Sequence, residues 1–170
     1  MSQYVADRPG RQFHLPTPAL ATALGRLHAL LERCSISLLR ISLGLVFLGF
    51  GILKFFPGLS PAEDIAAATI ERLTFGFIAG DHAVLVTAIV ETFIGLTLVT
   101  GRFVRLGLIV LTGALVGIMS PLVLFTDQLF PHGPSLMGQY VVKDIVLAAG
   151  AMVVAAYALG SRLHTEDDQD

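Results

Sequence analysis

The chain reads as an all-α polytopic membrane protein: a four-transmembrane-helix bundle with an N-terminal amphipathic helix and an outer interfacial helix. Three observations predict this. The 170 residues are 54% hydrophobic and only 14% charged, with a mean hydropathy of +0.76, a balance that a soluble domain of this size does not need. Four apolar segments are each long enough to cross a hydrocarbon core, which takes about 20 residues at about 1.5 Å per residue. The charges that enter these segments are Arg40, Lys54, Glu91, Lys143 and Asp144. A charge at mid-bilayer costs at least roughly 2.5–3.5 kcal/mol on insertion scales, so each needs a partner, an escape to the headgroups or a function.

Residues 1–35 predict a cytoplasmic arm. Arg8, Pro9, Arg11, Pro16 and Pro18 interrupt its start, and no apolar run followed by a small-residue cleavage site marks a signal peptide. Thr17 and Pro18 have the form of an N-cap and first residue of a helix. Leu20, Leu24, Leu27 and Leu31 then recur at helical spacing, with Arg26, Glu32 and Arg33 off that stripe. The expectation is an amphipathic helix lying in the membrane interface, against the plainer alternative of a loosely ordered arm. Cys34 is the only cysteine and there is no C-x-x-C, so no dithiol chemistry is carried out within this chain alone.

Residues 36–160 form the membrane domain. Span one covers about 36–56 and stops at Pro57-Gly58. A capping box at Ser60-Pro61-Ala62-Glu63 opens the outer interfacial helix, whose stripe is Ile65, Thr69, Ile70, Leu73 and Phe77. Such a helix would cover the mouth of the bundle. Span two covers about 83–100, with Gly80-Asp81 as turn and N-cap and Gly101 just past its end. Span three covers about 104–126 and is kinked by Pro121. Its Gly113 and Gly117 form a small-xxx-small pattern suited to close helix contact. Span four covers about 140–159 and ends at Gly160. The tail 161–170, ending Glu166-Asp167-Asp168-Gln169-Asp170, reads as acidic and disordered.

Positive charge orients the bundle. Arg26, Arg33, Arg102, Arg105 and Arg162 share one side, while the 57–82 connection carries Glu63, Asp64, Glu71 and Asp81 against Arg72. The positive-inside rule then predicts both termini in the cytoplasm. The membrane lipids are its first partners. With no basic stripe and a net charge of −2, nucleic acid is not among them.

Helical spacing sorts the intramembrane polar groups into faces. Arg40, Gly44, Phe47, Gly51 and Lys54 share one face of span one, and Thr87, Glu91 and Gly95 one face of span two. On span four, Lys143, Gly150 and Tyr157 form one line; Asp144, Ala148, Ala151 and Ala155 form the next. These faces should turn toward each other, because the alternative puts charges in lipid. Lys54, Lys143 and Asp144 lie near the outer ends of their helices. Glu91 lies about 12 Å below the outer end of span two, where Lys54 or Lys143 could bend inward to it and Arg40 reach up. Lys54 and Arg40 are also placed to snorkel, and Asp144 to cap its helix or pair with Lys54. Glu91 is too short to reach either headgroup layer, which leaves a structural ion pair or a ligand or proton site.

Other chemistry finds little footing. His82 and His132, near Asp81 and Asp127, have no metal-ligand spacing and read as surface histidines, so no metal is predicted. No histidine lies in a span, which weakens a b-type haem.

Three strings together carry a family resemblance. Residues 40–57, from Arg40 through Lys54 to Pro57, resemble the opening helix of DoxX-like inner-membrane proteins. Residues 90–101, with Glu91, Gly95 and the terminal Gly101, resemble their second helix. Residues 138–147, with Lys143-Asp144, resemble the start of their fourth. The resemblance spans about 36–160 and implies a compact four-helix membrane protein, often a small subunit among other membrane protein subunits. Some relatives are named for thiosulfate:quinone oxidoreductase, others are tied to membrane oxidoreductase complexes or oxidative-stress responses, and many have no assigned activity. It implies no catalytic role for Arg40, Lys54, Glu91, Lys143 or Asp144, although each matches a position typical of the family. The N-terminal segment and Cys34 depart from the pattern.

Two readings follow. In one, the chain is a subunit of, or accessory to, a membrane oxidoreductase, holding a small amphipathic ligand, such as a quinone headgroup, among Lys54, Glu91, Lys143 and Asp144. In the other it is a non-enzymatic assembly or carrier protein whose charges only fix helix register.

Overall fold

A computed structural model describes residues 18–160. The expected N-cap at Thr17, the arm before it, and the acidic tail 161–170 lie outside the described residues. The chain divides into two units, Met1–Cys34 and Ser35–Asp170. In the first, residues 18–34 are helical and residues 19–34 exposed on every side, with His28 and Glu32 paired one turn apart at 3.6 Å.

The second unit is helical throughout its regular structure, with no strand among the described residues. Helix α1 (Pro18–Leu53) enters it at Ser35 and is followed by α2 (Glu63–Leu73), α3 (Gly80–Thr100) and α4 (Val104–Met119). Two short turns of helix, α5 (Pro121–Leu124) and α6 (Thr126–Leu129), lead to α7 (Leu136–Ala158). Among the described residues, four helical stretches are long and apolar enough to cross a membrane: Ala19–Leu53, Gly80–Thr100, Val104–Leu124 and Leu136–Ala158. The protein is an all-α, multi-pass membrane bundle.

The boundaries show where local chemistry won. Helix α1 stops at Leu53 rather than at Pro57, because Phe55 and Phe56 donate to Ile52 and Leu53 in tight i→i−3 turns. The expected capping box does not form. Helix α2 starts at Glu63 with Ala62 as its N-cap and no side-chain cap, and the Glu63 carboxylate accepts from the Gly58 amide at 2.9 Å instead. Gly58, at φ 78°, turns that amide toward the helix start, a conformation that glycine adopts without a Cβ penalty. Phe77 leaves the predicted stripe. Phe75 and Gly76 both have positive φ, the helix ends before them, and Phe77 is 91% exposed.

Helix α3 begins at Gly80 with Ala79, not Asp81, at the N-cap. It ends as expected at Gly101, whose φ of 73° lets its amide close on Thr97. Pro121 does break span three. Having no N–H, it leaves the Gly117 carbonyl without its helical donor, and the Ser120 hydroxyl takes that place at 2.7 Å. Helix α7 starts at Leu136, four residues earlier than the sequence predicts, because Ser135 caps it by accepting from the Gly138 amide.

The core joins α1, α3, α4 and α7 through Leu43, Phe47, Ile94, Leu98, Leu108, Leu111, Ala151 and Val154. Lipid tails are as apolar as leucine, so this core is held by close packing more than by escape from water. The seam between α1 and α3 shows it. A Cβ on Gly51 would stand 2.6 Å from the Thr92 nitrogen, and one on Gly95 would stand 2.6 Å from the Leu48 Cα. Gly113 and Gly117 behave otherwise. Nothing lies within 4 Å of a Cβ built on either, so the small-xxx-small pattern makes space here instead of a helix contact.

Candidate functional site

The α1–α3 seam sets the site. With Gly51 and Gly95 bringing the two backbones together, Lys54, one residue past α1, reaches the middle of α3. Its Nζ donates to Glu91 Oε2 at 2.7 Å, and the two side chains are 3% and 14% exposed. Lys54 also lies 5.7 Å from the centre of the Phe50 ring. A carboxylate and an ammonium buried together satisfy one another, whereas either alone at this depth would be costly.

Beside the pair lies a cavity of about 500 Å³, within the roughly 300–1,000 Å³ common for small-ligand sites. Its polar lining is Lys54, Thr69, Thr87, Glu91, Tyr140 and Asp144. The rest is apolar: Phe47 and Phe50 from α1, Ile65, Ala66, Ile70 and Leu73 from α2, and Val110, Gly113 and Gly117 from α4. Thr69 and Thr87 donate their hydroxyl protons to carbonyls of their own helices. The α2 stripe therefore covers the cavity, as its sequence spacing predicts. Val116, also part of the lining, is 69% exposed, so the cavity is open on the α4 side.

Of the five predicted site residues, the structure brings together Lys54, Glu91 and Asp144. Lys143 stands elsewhere. It is exposed, its Nζ lies 3.9 Å from the centre of the Tyr140 ring, and it borders a separate surface depression with Phe130 and Gln139. Consecutive helical residues point about 100° apart, so Lys143 and Asp144 can lie on different faces of α7, and here only Asp144 lines the cavity. The shorter side chain turns in, and the longer one lies along the bundle surface. Arg40 is not within reach of Glu91 either. Its guanidinium occupies the space beside Gly101, ten residues and about 15 Å along α3 from Glu91. There a cation suits the C-terminal end of the helix dipole.

Sequence reading missed Phe50 and Tyr140 as wall residues and the space provided by Gly113 and Gly117. Phe50 follows Phe47 by three residues and precedes Lys54 by four, a spacing that could have placed it. Among the described residues no three of His, Cys, Asp and Glu gather as a metal site; His82 and His132 are exposed.

Comparison with known proteins bears on this site. Neither curated proteins nor solved structures gave a match. The sequence model of the DoxX family matches residues 35–126, a stretch that holds Arg40, Lys54 and Glu91 and stops before Asp144. With more than half of its 170 residues matched, this four-helix membrane protein belongs to the DoxX family.

Proposed function

We propose that the chain is an integral subunit of, or accessory to, a membrane oxidoreductase assembly, and that its cavity binds a small amphipathic ligand of the quinone type. The observation that carries this reading is the cavity itself: about 500 Å³, largely apolar, with Lys54, Glu91 and Asp144 converging on it. A charge cluster that only fixed helix register would be packed shut, since open space beside buried ions forfeits contacts. The opening beside Val116 gives a membrane-dissolved ligand a lateral way in. Membership of a family often associated with oxidoreductase functions points the same way.

The proposed setting is a bacterial inner membrane with both termini in the cytoplasm, supported by Arg102 before α4 and Arg105 in its first turn, and by the acidic residues of the 57–82 connection. The test is purification in mild detergent, with mass spectrometry of every protein and lipid-soluble molecule that accompanies the chain. Co-purification of a redox subunit or an isoprenoid quinone is the expected result. A chain that purifies alone, with an empty cavity and no binding of quinone or hydroquinone on addition, would leave the non-enzymatic assembly reading in its place.

A further inference from the structure

The polar inventory of the cavity says more about its ligand than the cavity's size does. Two carboxylates, Glu91 and Asp144, face one ammonium, Lys54. That ammonium is already hydrogen-bonded to Glu91. Among the described residues Asp144 has no ion-pair or hydrogen-bond partner, and the neighbouring Lys143 lies over Tyr140. The Thr69 and Thr87 hydroxyl protons are directed to their own helices. Asp144 is therefore the charged group on the cavity wall whose hydrogen-bonding capacity is wholly open, whereas Lys54 and Glu91 each spend part of theirs on one another.

From this we infer that the cavity selects a neutral ligand whose headgroup carries hydroxyl donors, a hydroquinone or alkylphenol rather than a quinone or an acid, and that Asp144 is the acceptor that reads the hydroxyl. The inference rests on the proposed ligand-binding role of the cavity. A carboxylate is acceptor-only when ionised. It is matched by a phenolic O–H and opposed by a quinone carbonyl, which has only lone pairs to offer. Lys54 keeps N–H groups that serve a carbonyl or a hydroxyl alike, and the Tyr140 hydroxyl can donate or accept, so neither discriminates. An anionic headgroup would place a third negative charge beside two carboxylates in a low-dielectric site where Lys54 is the only lining cation and Lys143 lies outside the cavity, so repulsion is only weakly screened. Specificity of this kind comes as much from the rejected partner as from the accepted one.

The test uses the full chain in lipid nanodiscs under dioxygen-free buffer, with a matched pair of probes, decyl-hydroquinone and decyl-benzoquinone, and dodecanoate as the anionic competitor. Hydroquinone should bind at least about tenfold more tightly than the quinone, as one charge-assisted hydrogen bond allows, and dodecanoate should not compete. In Asp144→Asn, whose amide both donates and accepts, the preference should shrink to less than about threefold. Asp144→Leu should bind both forms with equal weakness. Equal wild-type affinities, competition by dodecanoate, or a preference that survives both substitutions would overturn the inference while leaving a ligand site in place. Binding of neither probe overturns it together with the reading on which it rests. The wild-type comparison alone decides the matter if either variant does not fold.

Discussion

At the scale of single residues, Lys54 decides what the site can tolerate. It is the lone cation on a cavity wall that holds Glu91 and Asp144, and its ammonium is almost fully enclosed. Lys54→Met should lower stability in detergent by about 3–5 kcal/mol, the usual cost of stranding one half of a buried pair. Glu91→Gln should cost less, because the amide oxygen still accepts from Lys54 and Asp144 remains as a counter-charge. The double variant Lys54→Met/Glu91→Gln should recover part of the loss, since Glu91 is no longer stranded and only the half-buried Asp144 is left without a cation on the cavity wall. Thermal denaturation of the four proteins, read as a double-mutant cycle, checks this. Additive losses would show that the 2.7 Å contact contributes no coupling.

At the scale of elements, two glycine pairs have opposite duties. Gly51 and Gly95 sit where a Cβ would enter the backbone of the neighbouring helix. Gly95→Ala should force α1 from α3 and destabilise by about 1–3 kcal/mol, as overpacking does, while loosening the Lys54–Glu91 pair that the seam aligns. A thermal shift smaller than that of Ala148→Gly on α7 would contradict it. Gly113 and Gly117 line the cavity with nothing near them. Gly113→Leu should fill part of the space, leave folding intact and weaken binding of a decyl-quinone-type probe by more than about tenfold, the measure of displaced ligand contacts. Retained affinity in a folded Gly113→Leu protein would move the ligand site elsewhere.

At the scale of the whole molecule, orientation is open to direct measurement. In a Cys34→Ser background, single cysteines replacing Asp64 and His132, both exposed, should react with a membrane-impermeant maleimide added to intact cells. One replacing Arg105, also exposed, should react only after lysis. The reverse pattern would invert the bundle. Ser60 is unsuited to this use because it is buried.

Much of this architecture was legible in the sequence, for reasons that act locally. Apolar length decides which segments cross a bilayer, and no partner is needed to read it. Pro121 and Gly101 break or end helices through their own backbone chemistry, so each marks its boundary in advance. The α2 stripe could be read because helical periodicity holds wherever the helix lies. Periodicity also grouped Lys54 with Gly51, and Glu91 with Gly95, before any contact was known. It could not tell which of two adjacent residues on α7 turns inward, because Lys143 and Asp144 are equally polar in sequence. Only packing chose Asp144, since the lysine has the length to lie along the outer surface over Tyr140 and the aspartate does not. The same holds for Gly113 and Gly117. Small residues permit either a close contact or an empty volume, and where the neighbouring helices stand determines which of the two forms.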